Sequence, residues 1–223
     1  MRPRPARRRP LRRASAAPAR RFKQARSQRT YRALLDAAAA VFAEVGFDAA
    51  QTPEIARRAG VSTGAFYRYF DDKRQIFLEV AQLRLAAATE AVATELDPAR
   101  FAGGGADEVR RAIDLVIDVL FARVRDEAPF ERVLLIMSLR DAEVMAIRAR
   151  ADALGLEVLT RVIDQIIPRS VVPNPRAAAL VIHAAALEIA AERAGLSTGR
   201  GLGLSDAEVR EALREMIHRY LYP

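Results

Sequence analysis

A chain of 223 residues with about half of them apolar can bury one sizeable core or two small ones. It has no cysteine and only two histidines, which excludes a disulfide scaffold, a thiolate metal cluster and a cysteine nucleophile, and leaves little material for a histidine metal site. The formal charge of +8 is a property of one end: residues 1–26 hold eleven basic side chains and no acidic one, and the rest of the chain, with 25 basic against 28 acidic residues, is near −3.

Residues 1–26 consist largely of Arg, Pro and Ala. Such a segment cannot bury enough apolar surface to offset the entropy of ordering, so a disordered tail is expected. It reads as a solvated extension, as an arm that meets phosphates without sequence preference, or as a targeting peptide, although its prolines would interrupt the amphipathic helix of the last.

From Arg29 onward the pattern is helical. Leu34, Leu35, Ala38, Val41, Phe42 and Val45 form one apolar stripe that ends at Gly46, a left-handed cap position, with Phe47 placed to pack back on the helix end. Thr52-Pro53-Glu54 opens a short second helix, with Thr52 as its N-cap, that carries Ile55, Ala56 and Ala59 inward and stops at Gly60. A third helix starts near Ser62 or Thr63 and runs to Asp71-Asp72, where an aspartate caps a fourth beginning at Lys73.

The remainder is also helical, with legible breaks. Asp97-Pro98 and the glycine run 103–105 close the fourth helix, and Pro129 divides the apolar stretch 113–137. An amphipathic segment over 141–167 stops at Pro168. Residues 172–175 introduce an Ala-rich helix reaching Gly195, and Ser205 with Glu208 makes a capping box for the last helix. That helix carries the stripe Val209, Leu213, Met216, Ile217, Tyr220. No strand alternation and no repeat are present, so the fold class is all-α.

Three short helices with a Gly-containing turn between the second and third are the pattern of a helix-turn-helix. Phe66 and Phe70 face the core with Ile55 and Val61, and Phe77 can join them from the fourth helix. Thr63, Gly64, Tyr67 and Arg68 are left on the opposite face, with Tyr69 at its edge. This acid-free face offers hydroxyls and a guanidinium for phosphates and base edges, a bare backbone at Gly64, and Lys73 beside it for a further phosphate contact. Alone, it is equally the solvated face of an ordinary helix.

The ordered series Ala37-Ala38, Phe42, Gly46-Phe47, Ile55-Ala56, Ala59-Gly60-Val61-Ser62, Gly64, Phe66-Tyr67, Tyr69-Phe70 and Lys73 resembles the N-terminal domain of TetR-type transcriptional regulators over roughly residues 29–80. Position by position, the resemblance implies DNA contacts from Thr52, Ser62, Thr63, Gly64, Tyr67, Arg68, Tyr69 and Lys73. Gln51 departs from the usual Ser or Thr, and Tyr69 stands where histidine is frequent. The resemblance further implies a helix-turn-helix domain over residues 27–75, after the tail 1–26. A larger helical domain over 76–223 would bind a small-molecule effector and form a homodimer through the last two long helices.

The Ala-rich helix, apolar around most of its circumference, and the stripe of the last helix suit a two-fold interface, or equally an ordinary internal core. Phe121, Phe130, Met137 and His183 are the candidate pocket residues, each also a plausible core residue. Gly60-Val61-Ser62-Thr63-Gly64 matches the G-x-S-x-G nucleophile elbow, but that turn needs a preceding strand where a charged helix is expected, so catalysis by Ser62 is not expected. The expected function is a dimeric repressor that leaves a palindromic operator when an effector binds. An activator of the same build, or an architectural DNA-binding protein dominated by its basic tail, are the alternatives. No enzyme activity and no cofactor are expected. No apolar run reaches the length of a bilayer span, so no membrane partner and a cytoplasmic location are expected.

Overall fold

The computed structural model describes residues 25–97, 106–196 and 203–221, and every regular element among them is a helix. In chain order these are α1 (Ala25–Ala49), α2 (Thr52–Arg58), α3 (Thr63–Phe66), α4 (Lys73–Glu95), α5 (Ala106–Asp126), α6 (Ala128–Ser138), α7 (Ala142–Ile166), α8 (Pro175–Arg193) and α9 (Asp206–Leu221). Of the expected tail over 1–26, residues 1–24 lie outside the described residues, as does the glycine run 103–105, whereas Ala25 and Arg26 open α1.

Local chemistry sets the boundaries. Gly46 interrupts α1 at φ 78°, and Phe47 turns back to stack on Phe42 at 5.8 Å. Asp72 accepts from the Gln75 amide at 2.8 Å, Asn174 from Ala177 at 3.1 Å, and Asp141 from Glu143 at 2.9 Å. Ser205 and Glu208 close the expected capping box: the Ser205 amide donates to the Glu208 carboxylate, and the Glu208 amide to the Ser205 hydroxyl. Pro129 sits in the first turn of α6, where its missing N–H costs nothing.

Two corrections concern the short helices. Gln51, rather than Thr52, is the N-cap residue of α2, and its side chain makes no capping bond; Thr52 is the first helical residue. The α-helical part of the third helix is only the four residues Thr63–Phe66. Beyond it the chain continues as a tight turn, in which the amides of Arg68 and Tyr69 reach back three residues to Ala65 and Phe66. The run Phe66-Tyr67-Arg68-Tyr69-Phe70 is dominated by aromatic residues, which are weak helix formers, and the buried rings hold the turn instead.

Two apolar cores follow. The first joins α1 to α4 around Phe42, Phe66, Phe70 and Phe77, all with no exposed surface, and draws in Phe130, Val133, Leu134 and Met137 of α6 and Val144 of α7. This core therefore crosses residue 75. The second, aliphatic apart from Phe121, unites the end of α4 with α5, α7, α8 and α9. Ion pairs link the parts: Arg74 bridges Asp141 and Glu143, Arg140 meets Asp48, and Asp118 of α5 receives Arg210 and Arg214 of α9. Among the described residues no helix is long and apolar enough to cross a membrane.

Candidate nucleic-acid interface

The turn from α2 to α3 has the bonding of a Schellman motif. The Val61 amide donates to the Ala56 carbonyl at 3.0 Å and the Gly60 amide to that of Arg57 at 3.1 Å, with Gly60 at φ 69°. An L side chain at Gly60 would be strained, so the angle between the two helices depends on this glycine. Ser62 then caps α3, its hydroxyl accepting from the Ala65 amide at 3.2 Å. What precedes Ser62 is α2 and a turn, not a strand, and its oxygen is occupied with capping.

Phe66 and Phe70 anchor the segment, 5.6 Å apart ring to ring, and Tyr31 of α1 stacks on Phe70 at 5.5 Å. The Tyr31 hydroxyl donates to the Glu79 carboxylate, and burial together with that carboxylate pushes its ionisation well above the ordinary tyrosine range. It is thus a neutral strut between α1, α4 and the reading segment.

The outward face is different. Gly64, Tyr67 and Arg68 are exposed, Thr63 and Tyr69 half-buried. Tyr67 stands on the edge of Phe66, half its surface in solvent, with its hydroxyl 3.1 Å from the Thr52 hydroxyl. That pair brings Thr52 of α2 into one polar surface with α3. Nothing lies within 4 Å of where a Cβ on Gly64 would be, so no internal contact requires a glycine there. Glu54 of α2 is held by Arg57 and Arg58, whose hydrogen bonds lower its carboxyl to about 2. Arg58 also grips Glu44 of α1 with two bonds of 2.6 Å.

Lys73 is engaged within the fold. Its Nζ donates to the carbonyls of Phe47, Asp48 and Ala50 at 3.0, 2.9 and 3.2 Å and lies 4.9 Å from the Phe47 ring centre. All three donors of the ammonium group are engaged in closing the loop between α1 and α2. Arg32, by contrast, is exposed in the same turn of α1 that docks Tyr31 on Phe70.

The four candidate pocket residues are not brought together. Phe130 and Met137 belong to the first core and Phe121 to the second, where Arg210 covers its ring at 4.4 Å. His183 lines cavities of the C-terminal helices, and Phe130 lines a separate one beside α4. Among the described residues no group of three or more His, Cys, Asp or Glu is arranged to hold a metal ion.

Residues 34–80 match the family model described as bacterial regulatory proteins, tetR family. The A-factor receptor protein of Streptomyces griseus is 48% identical over 54 residues, which are 24% of this chain and 20% of that protein. The HTH-type transcriptional regulator AcrR of Shigella flexneri is 34% identical over 110 residues, 49% of this chain and 48% of that one. The chain thus spans about a fifth and about half of the relatives it matches. Solved structures extend the likeness of fold to most of the chain. A Mesorhizobium loti protein assigned to the TetR-family transcriptional regulators superposes with a TM-score of 0.71 at 19% identity, covering 89% of this chain and 98% of its own. The fatty acid degradation regulator FadR of Bacillus halodurans does so at 0.61 and 16% identity, covering 84% and 94%. Residues 34–80 thus carry the helix-turn-helix domain of the TetR family of bacterial regulatory proteins, and the all-helical body shares the fold of these solved structures.

Proposed function

We propose that the chain is a homodimeric, ligand-responsive repressor that reads a palindromic operator through two copies of the segment 63–70. The observation that carries this reading is the two-sidedness of that segment. Phe66 and Phe70 are wholly buried, whereas Gly64, Tyr67 and Arg68 face solvent with no acid among them. Thr52, Ser62, Thr63, Tyr67 and Tyr69 supply phosphate or sugar contacts, Gly64 permits close backbone approach, and Arg68 is the candidate base reader. Lys73 acts by shaping the loop before α2 and by its charge.

The dimer reading is supported by apolar surface left outside the second core. Leu180 and Val181 on α8, and Met216 and Tyr220 on α9, are each about half exposed or more, while Ala178, Ile182, Leu213 and Ile217 of the same helices are buried. Residues 27–75 are the reading head and 76–223 the effector-binding and dimerising body, with α6 packed into the head's core. An effector bound in the body would change the spacing of the two heads and so weaken a two-site fit. The cytoplasm is the compartment this role requires.

Selecting bound fragments from the source genome tests the proposal. A palindromic consensus is expected, bound far more tightly than random DNA and retained after removal of residues 1–26. Equal affinity for selected and random DNA overturns the reading, and loss of all binding without residues 1–26 favours an architectural protein led by its tail.

A further inference from the structure

The body contains a cavity whose polar lining is incompletely used. Its wide part, about 420 Å³, lies within the size range of small-molecule sites and has aliphatic walls that include Leu85, Leu135, Leu187 and Leu196. A narrow recess of about 30 Å³ opens among Val92, Leu96, Val116 and Leu120. Asp152 and His183 line both spaces, so the two meet at these residues. A separate, wholly aliphatic gap around Ile163 and Ile217 is no larger than the recess and offers no polar group to orient a ligand.

Arg148 and Asp152 stand one turn apart on α7, and both line the wide part. Arg148 Nη1 is buried and makes no hydrogen bond. Asp152 is half-buried, and among the described residues neither it nor Arg148 is held in an ion pair. The order is the unfavourable one for a pair within a helix, with the base preceding the acid. An N–H withdrawn from water without an acceptor is a cost that a bound acceptor would remove. The charges of Arg148 and Asp152 cancel, so the pair favours neither an anion nor a cation.

We propose that this cavity binds an uncharged amphipathic small molecule whose hydrocarbon part lies on the aliphatic walls and whose polar end gives an acceptor to Arg148 and a donor to Asp152. Primary amides and hydroxy-carbonyl compounds have this chemistry. The inference rests on the ligand-responsive reading and specifies its effector. Arg148 and Asp152 select by hydrogen bonding, and the chain–wall contact supplies affinity. The same helix begins at Asp141 and Glu143, which hold Arg74 of the reading head, so occupancy at Arg148 bears on the helix that carries the head's ion pairs.

The test is calorimetric titration of the full chain with octanamide, octanoate and octylamine, three probes that share a tail and differ in charge. Octanamide is expected to bind at least ten-fold more tightly than either charged probe. Arg148→Met should weaken octanamide and strengthen octylamine, and Asp152→Asn should strengthen octanoate, with thermal unfolding confirming that each variant is folded. A charged probe binding wild type as tightly as the amide, or no probe binding it, overturns the proposal. Fragment selection without added probe separates the outcomes: specific DNA binding with no amide binding rejects this ligand class alone, and amide binding without DNA specificity rejects the repressor.

Discussion

The reading head and the body are both helical, but they are filled with different materials. The head is packed with rings: Phe77, reaching in from α4 of the body, meets Phe42 edge to face at 5.1 Å and lies 5.3 Å from Phe47, and Phe66, Phe70 and Tyr31 continue the series. The body's own core is packed with Ile, Val, Leu and Ala around a single ring, Phe121, and it keeps open space. Large rings make a small domain rigid because few arrangements accommodate them. Short aliphatic side chains on long helices leave gaps that a ligand can occupy. Rigidity stands where a surface must match DNA, and adaptable volume where an effector would act.

The comparison breaks first at Phe66. Phe66→Ala removes a ring with no exposed surface and should cost about 3–5 kcal/mol, enough to release the segment 63–70 from the head. Urea unfolding followed by tyrosine fluorescence measures it. Leu159→Ala, next to the body's cavities, should fall at the lower end of the Leu→Ala range, about 2–3 kcal/mol, because its surroundings are already incompletely filled. Equal losses at the two sites would remove the distinction between a rigid head and a compliant body.

Lys73 comes next in size. Its three bonds to carbonyls cap the loop that aims α2, so Lys73→Met should lower stability by about 1.5–3 kcal/mol while leaving the apolar stem in place. If Lys73 served phosphates only, the urea midpoint would not move and only the salt dependence of DNA binding would shrink.

What could be read in the sequence divides along the same line. Helix ends were legible at Gly60, Asp72, Asn174 and the Ser205–Glu208 box, because each cap depends on residues within a few positions of itself. The two-sided character of residues 63–70 was legible for the same reason. The cap at Thr52 was misread because Pro53 at the second helical position fits equally well with the cap one residue earlier. The bonds of Lys73 to the loop before α2 were not legible because its acceptors lie more than twenty positions away. In the body, periodicity shows that Phe121, Phe130 and Met137 are inside without showing which neighbour each faces. Phe130 and Met137 turn toward the head and Phe121 toward α9. Arg148 and Asp152 look like ordinary surface charges until α4 and α8 are packed beside α7.

The joint between head and body should respond to acid. Asp141 caps α7 and binds Arg74 through two bonds, and that guanidinium lowers its carboxyl to about 2. A carboxyl depressed in the folded state stabilises fully above its unfolded value, near 4, and the contribution disappears as pH falls from there toward 2. Asp141→Asn keeps an acceptor for the Glu143 amide and removes the charge. The variant should unfold at a lower temperature than wild type at pH 7, and the gap should close between about pH 4 and 2. No gap at any pH would mean that the cap, which asparagine keeps, and not the charge facing Arg74, is what Asp141 contributes.

Two glycines give the smallest and most discriminating effects. Gly64 in the head and Gly155 in the body both sit in helices, and a Cβ on either would meet nothing within 4 Å. Alanine at each should therefore stabilise the folded chain by about 0.5–1 kcal/mol, through the unfolded state and helix propensity, with less at Gly64 because α3 is a single turn. The two should part in function. Gly64 lies on the exposed face with Tyr67 and Arg68, and a methyl group there stands between the backbone and a closely docked phosphate, so Gly64→Ala should weaken operator binding in spite of the gain in stability. Gly155 borders the narrow recess, and Gly155→Ala should leave DNA affinity unchanged in the absence of effector. Thermal unfolding and operator titration of both variants, side by side, decide the matter. If Gly64→Ala binds DNA as well as wild type, the open space over Gly64 is not where the backbone meets DNA.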